Sequence, residues 1–224
     1  MKRDEYGIII QPDGAKIVVD GVEKVIDDGG DSSFSTGLNA WAGSEKDFQL
    51  MPLFIVDGKI VRHPYQSHST GTAPHNDPSA TSADQVKGFF AGLHGRANEP
   101  THAKVKEACL NYARGWRVNR DVLTPANKVY LYKCADTKPP LWLWLMAHPI
   151  FSGELLVNVK INPSHEQTQF PAMCCIMGKY YIMGLVRFHP DLFANMKDYF
   201  CGWRKRCEIF FNMEKKIVET IRKP

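Results

Sequence analysis

Residues 25–38 read VIDDGGDSSFSTGL and connect strand-like segments to the first predicted helix. The stretch contains three aspartates, two adjacent glycines and four hydroxyl residues. This composition is typical of two structures: an active-site loop with a catalytic carboxylate, or a turn whose aspartates bond their own backbone. The spacing excludes an EF-hand calcium loop, and three aspartates without a lysine argue against a phosphate-binding loop. Both remaining interpretations are open from these residues alone.

The residues before and after this stretch predict a β-rich beginning. Strand-like runs separated by turn signals occur at 7–10 (GIII), 15–21 (AKIVVDG) and 52–62 (PLFIVDGKIVR). A helix is expected within residues 34–43, ending at Gly43. Residues 63–80 then form a long polar loop with three prolines and three histidines, and loops of this length are often functional.

Helices dominate the remaining sequence. Ser82 and Gln85 form a predicted capping box at the start of a helix in residues 81–95. Helical spacing of apolar residues predicts further helices at 101–115, 124–136, 139–163 (broken at Pro149), 170–188 and 190–223. We therefore expect a mainly α fold of helical hairpins with a small N-terminal β element. One domain, 1–224, would comprise a β-rich part at 1–62 and a helical part at 81–224.

Composition places the chain among soluble globular proteins. It has 224 residues, 44% hydrophobic and 23% charged, which suits one domain with a sizeable core. The six cysteines all lie after residue 108 and include no CxxC pair, so reduced thiols are expected. No run of eighteen apolar residues is present, so membrane insertion is not expected. The N-terminus does not resemble a secretory signal.

Charge is distributed unevenly along the chain. Residues 1–50 hold 5 basic and 10 acidic side chains, and residues 187–224 hold 9 basic and 5 acidic ones. The basic end is typical of the solvated face of an amphipathic helix or of a surface for polyanions. Because no recognised nucleic-acid-binding signature accompanies it, a nucleic-acid partner is not expected.

Three short segments together resemble a known group of proteins. DDGGDSSFSTGL (27–38), IVRHP (60–64) and SADQ (82–85) are similar to sequences of phage-type proteins that resemble six-hairpin, (α/α)-toroid glycosidases. The resemblance covers about residues 20–95. Ser35 and Ala83 stand where arginines would be expected, so two charged contacts of the pattern are missing. The resemblance implies a carbohydrate-active helical protein located in a host cytoplasm or a virion.

Glycosidic cleavage with inversion requires an acid and a base carboxyl group about 6.5–9.5 Å apart. The candidates are Asp28 or Asp31 together with Asp84. Asp84 is expected at the second residue of its helix, where the dipole favours its ionised form and a role as base. Asp31, close to Asp27 and Asp28, is expected to have a raised pKa that suits the acid. A purely structural role in the first helical turn also accounts for Asp84.

The remaining candidates concern binding. Arg62, His63 and Gln85 belong to the segments that carry the resemblance, which implies that they bind substrate. Trp116 and Arg117 are predicted to bind it too, because an aromatic plane beside arginines suits a sugar ring or a uronate. His63, His68 and His75 with Asp77 are an alternative metal site, but their spacing fits no standard zinc pattern. No metal and no cofactor are therefore predicted. His165 and Glu166 form a second acid–base candidate.

Two functions follow from these observations. The first is a hydrolase or lyase that cleaves a bacterial cell-surface glycan with a pair of carboxylates. The second is a non-catalytic viral structural or host-interaction protein. The sequence does not indicate the substrate or the oligomeric state.

Overall fold

A computed structural model of the chain describes residues 2–69 and 73–147 and, beyond them, only Ile176. The strands are β1 (Lys2–Arg3), β2 (Ile9–Val19), β3 (Val22–Asp28), β4 (Ile55–Val56), β5 (Lys59–Ile60), β6 (Arg117–Val118) and β7 (Asp121–Val122). The α-helices are α1 (Ser32–Trp41), α2 (Glu45–Leu50), α3 (Ala83–Ala91), α4 (Ala103–Arg114), α5 (Pro125–Cys134) and α6 (Leu141–Met146). Short 3₁₀ helices occur at Met51–Phe54, Pro78–Ala80 and Pro100–His102.

The predicted mainly α, toroid-like fold is wrong. Of about 144 described residues, 44% are helical and 19% are in strands that form three small antiparallel sheets. This described part of the chain contains no toroid of helical hairpins. The difference arises because residues 22–28 continue the N-terminal sheet, and because residues 117–122 form a hairpin. The fold is therefore mixed.

Several predictions fall outside the residues that the structure describes. These are the helices at 170–188 and 190–223, the end of the segment at 139–163, and the His165–Glu166 pair. The basic C-terminal segment lies there too. Two of the six cysteines, Cys109 and Cys134, are described, and both are buried free thiols.

The N-terminal sheet brings Asp28 to the place where the site forms. Strands β2 and β3 pair from Val19 and Val22 back to Gln11 and Asp28. Asp20 and Gly21 form the two-residue turn, both with positive φ (54° and 78°), which matches the twist of a β-hairpin. The register shifts between Gln11 and Ala15, so the predicted turn at 12–14 is instead an irregularity within β2.

Helix starts agree well with the local sequence signals. The capping box of Ser82 and Gln85 is confirmed at the start of α3. Thr124 caps α5 by accepting the N–H of Asn127, with Pro125 in the first turn. The helix predicted within 34–43 begins earlier, at Ser32.

Helices α1 and α3 approach closely because two glycines face the opposite helix. A Cβ atom on Gly37 would collide with the backbone of Phe89, and one on Gly88 would collide with the ring of Phe34. This close crossing of α1 and α3 places Gln85, in the first turn of α3, against the segment that follows Gly30. Fully buried Phe89 and Phe90 lie in the same core, and each contributes about 1.5–3 kcal/mol relative to exposure.

Arg3 fixes the beginning of the chain. Its guanidinium makes two bonds to the Asp47 carboxylate, at 2.8 and 2.9 Å, a paired geometry that favours a defined orientation. This anchors β1 to α2 and positions the next residue, Asp4.

Within the described residues, no helix combines the length and apolar character needed to cross a membrane.

Candidate functional site

The carbonyl oxygen of Gly30 joins three segments that are distant in the sequence. Gln85 Nε2 donates to this oxygen at 2.7 Å, and the Arg62 guanidinium donates to it at 3.3 Å. The N–H of Ser33 in turn donates to the Arg62 carbonyl at 3.0 Å. Arg62 and Gln85, both predicted to bind substrate, therefore also hold the glycine-containing loop in place.

The polar loop after β5 folds back on itself and packs against Gly29. The N–H of His63 donates to the carbonyl of His75, and the N–H of His75 donates to the carbonyl of His68, both at 3.0 Å. Gln66 Oε1 accepts the N–H of Gly29 at 2.8 Å. A Cβ atom on Gly29 would lie only 2.5 Å from His63 Cδ2. The close approach of the two loops therefore requires glycine at this position.

Asp28 holds His75 at the centre of this arrangement. Asp28 Oδ1 lies 2.8 Å from His75 Nε2 and also accepts the N–H of Gly30 at 2.9 Å. The His75 side chain is only 2% exposed, and that of Asp28 is 16% exposed. A carboxylate in this position orients the imidazole ring. The two residues form a candidate proton-transfer pair.

His68 lies next to this pair. The rings of His68 and His75 are 5.0 Å apart, centroid to centroid, and nearly perpendicular. One potential ligand atom from each of Asp28, His68 and His75 lies within 4.8 Å of the other two. Burial lowers the pKa of His68 below 6.5, and positive charge on His75 would lower it further. His68 is therefore present mainly as neutral imidazole at neutral pH.

His63 forms a second carboxylate–imidazole pair, with Asp4. His63 Nδ1 accepts the N–H of Tyr65 at 3.2 Å, so Nε2 carries the proton and donates to Asp4 Oδ2 at 3.0 Å. Burial lowers the pKa of His63 below 6.5, although Asp4 opposes this effect. His63 thus lies beside Gly29, as a neutral donor that ties Asp4 to the loop.

A polar cavity of about 730 Å³ opens beside His75. Its lining combines two guanidinium groups, one carboxylate, an imidazole and hydroxyl and amide groups, contributed in part by Arg62, His75, Ser82, Asn119, Arg120 and Asp121. Asn119 Nδ2 donates to the carbonyl of Thr81 at 2.6 Å, and Asp121 Oδ2 accepts the N–H of Ala83 at 2.8 Å. The β6–β7 hairpin is therefore fastened to the start of α3. The volume suits a small ligand or a few sugar units.

The carboxylates proposed from the sequence occupy different environments. Asp28 belongs to the histidine cluster, whereas Asp31 is exposed immediately before α1. Asp84 is at the second residue of α3, as predicted, and pairs with Lys87 at 3.1 Å. Neither Asp31 nor Asp84 lines the cavity. Asp121, a lining carboxylate, was not among the predicted residues.

Trp116 and Arg117 lie in the segment that begins the β6–β7 hairpin, and both are exposed. The Trp116 ring is 6.4 Å from that of Trp142, and Lys128 Nζ lies 3.4 Å from its centroid. Neither Trp116 nor Arg117 lines the cavity. The exposed ring still offers a stacking surface, which is the role predicted for it.

Sequence spacing did not reveal the partners of the histidines. Asp77 does not pair with the histidines; it caps the 3₁₀ helix Pro78–Ala80 by accepting the N–H of Ser79. The carboxylate bonded to His75 is Asp28, which is 47 residues away in the sequence, and His68 lies close to both. Arg120 and Asp121 were visible only as charged residues near Arg117.

Comparisons of this chain with protein-family models, curated proteins and solved structures found no match. The resemblance to phage-type proteins and six-hairpin glycosidases therefore stays a prediction. Its three segments do meet around the Gly30 carbonyl, although the described fold is not a toroid. Functional interpretation depends on the site itself.

Proposed function

We propose that this chain is a glycan-cleaving enzyme, a hydrolase or lyase that acts on an acidic bacterial cell-surface polysaccharide. One observation carries the proposal: His75, which is held by Asp28 at 2.8 Å, lines the same cavity as Arg62 and Arg120. The cavity thus combines a group for proton transfer with positive charge.

The polar lining supports a charged sugar as the ligand. The Arg62 guanidinium has five N–H donors, and its described bonds to the carbonyls of Ala80 and Gly30 use two of them. Arg120 is exposed and forms no ion pair within the part of the chain that is described. Two guanidinium groups against the single lining carboxylate of Asp121 favour a uronate or another anionic sugar.

The same side chains serve either reaction. In hydrolysis, the Asp28–His75 pair takes a proton from the attacking water, and the cavity-lining Asp121 is the second carboxyl group, which serves the leaving glycosidic oxygen. In a lyase reaction, the pair takes the proton from the carbon next to the sugar carboxylate, and the electrons of that C–H bond form a double bond to the following carbon as its glycosidic C–O bond breaks. The leaving oxygen takes up a proton from water. The arginines would stabilise the charge that develops on that carboxylate.

This assignment keeps two carboxylates but changes the pair. Asp28 stays in the pair with the new role of orienting His75, and Asp121 replaces Asp84 as the second carboxylate. The reason is position: Asp121 lines the cavity, whereas Asp84 pairs with Lys87 on α3. Trp116 offers a stacking surface outside the cavity for a longer chain.

The test is a panel of acidic and neutral bacterial glycans incubated with the wild type, His75→Gln and His94→Gln. New reducing ends report any cleavage, and ultraviolet absorbance of a double bond conjugated to a carboxylate distinguishes a lyase from a hydrolase. Cleavage of acidic glycans by the wild type and by His94→Gln, but not by His75→Gln, supports the proposal. If the wild type neither cleaves nor binds any glycan, the proposal fails, and a non-catalytic viral structural or host-interaction protein replaces it.

A further inference from the structure

We infer that Asp28, His68 and His75 bind one divalent transition-metal ion, with Zn²⁺ matching the ligand types best. Each side chain offers one ligand atom, and the three atoms lie within 4.8 Å of one another. The inference deepens the proposed function and rests on its cavity, because His75 belongs to both the cluster and the cavity lining.

Two nitrogen atoms in the cluster are buried without a hydrogen-bond partner. These are His68 Nε2 and His75 Nδ1. Removing an imidazole nitrogen from water without giving it a partner is unfavourable. A metal ion bound at His68 Nε2 would provide the partner that this nitrogen lacks.

The backbone already holds the ligands near one another. His75 and His68 are joined by a backbone bond at 3.0 Å, and His75 is joined in the same way to His63. Asp28 is fixed from the other side by the β2–β3 ladder and by its bond to the N–H of Gly30. Ligands supported in this way keep their orientation when an ion binds.

Ligand chemistry selects the class of ion. Two imidazole nitrogens and one carboxylate oxygen are typical of catalytic zinc sites and of non-haem iron sites, whereas calcium and magnesium prefer oxygen ligands. Zinc takes nitrogen and carboxylate ligands at about 2.0–2.2 Å, which places the ligand atoms roughly 3.3 Å apart. Because the ligand atoms are at most 4.8 Å apart, a movement of no more than about 1.5 Å closes the cluster around the ion.

An ion in this position would supply the base for the proposed cleavage. Three protein ligands leave a fourth position for water, and such a water loses its proton near neutral pH. Since His75 borders the cavity, that position would be next to the sugar. Asp28 and His75 would then act as ligands, and the ion-bound hydroxide would take the place of the imidazole as base.

The experiment measures binding of the metal alone to the full-length chain after treatment with a chelator. Calorimetric titration with ZnCl₂ is compared with CaCl₂ for the wild type, His68→Ala, Asp28→Asn and the control His94→Ala, and circular dichroism checks that each variant is folded. We expect one Zn²⁺ site with a Kd of about 1 μM or tighter, no comparable Ca²⁺ site, and at least tenfold weaker Zn²⁺ binding in His68→Ala and Asp28→Asn.

Cobalt substitution distinguishes metal binding by the histidines and Asp28 from metal binding by the cysteines. Co²⁺ bound by nitrogen and oxygen gives visible bands without the intense thiolate charge-transfer band that a cysteine site would show. Absence of zinc binding, or equal binding in the wild type and His68→Ala, would overturn the inference. Zinc binding without glycan cleavage would support this inference and reject the proposed function. Undiminished cleavage by a chain that binds no metal would support the proposed function and reject this inference.

Discussion

His75 Nε2 lies 2.8 Å from Asp28 Oδ1, and this contact joins the end of the N-terminal hairpin to the polar loop after β5. The same carboxylate oxygen accepts the N–H of Gly30. One side chain therefore orients an imidazole and fixes the glycine-containing loop that follows it. This double role explains why an acidic residue stands immediately before two glycines.

Arg120 provides a test of the preference for acidic sugars. Arg120→Ala should raise KM for an acidic glycan about tenfold, because a charge-assisted hydrogen bond to the ligand is lost. Its effect on a neutral glycan should be small. Arg114→Ala, which removes an exposed arginine from outside the cavity lining, is the control. Equal KM values for Arg120→Ala and the wild type on acidic glycans would exclude this binding role.

Gly29→Ala should disturb the contact between the two loops. The added Cβ atom would lie 2.5 Å from His63 Cδ2, and such overpacking typically costs about 1–3 kcal/mol of unfolding free energy. Chemical denaturation provides the measurement. Gly115→Ala is the matched control, since Gly115 has φ −69° and its Cβ atom would meet no atom closer than 3.5 Å. If the two variants are equally stable, the loops do not pack as described.

His63 makes stability depend on pH. Burial lowers its folded-state pKa below 6.5, opposed by Asp4 and reinforced by His75 and His68. The unfolded chain therefore takes up a proton at higher pH than the folded chain does. The contribution of His63 to the free energy of unfolding is fully present above the pKa that this residue has in the unfolded chain. It is lost as pH falls from 6.5 towards the pKa of His63 in the folded chain.

The corresponding measurement compares the unfolding free energy at about pH 7.5 and about pH 5. The wild type should lose more stability on acidification than His63→Gln, which keeps a donor for Asp4 but does not titrate. An equal loss in both proteins would show that another group causes the pH dependence.

Local signals predicted some elements well, because their causes lie within a few residues. Asp20–Gly21 and Asp57–Gly58 both adopt the positive φ angles of hairpin turns, and Ser82 with Gln85 forms the expected cap. Strand β3 was missed because most of its residues are exposed, so it lacks the alternation of a half-buried strand. Strand β3 is stabilised by its pairing with β2, a long-range contact that the local sequence pattern does not show.

The candidate site was predictable only in part. Asp28, Arg62, His63 and Gln85 were identified, and all four lie around the two glycines. The pairing of Asp28 with His75 spans 47 residues and depends on how the polar loop folds back. Asp121 joins the cavity only because the β6–β7 hairpin is fastened to α3. Neither contact can be predicted from the spacing of these residues in the sequence.

The most direct test compares cleavage of acidic glycans by the wild type, Asp28→Asn and the control Asp27→Asn. Asp27 is the neighbouring carboxylate, and it pairs with exposed Lys2. The account predicts that Asp28→Asn lowers kcat about 100-fold or more, while Asp27→Asn retains the activity of the wild type and both variants stay folded. An Asp28→Asn variant that cleaves as fast as the wild type would contradict the account.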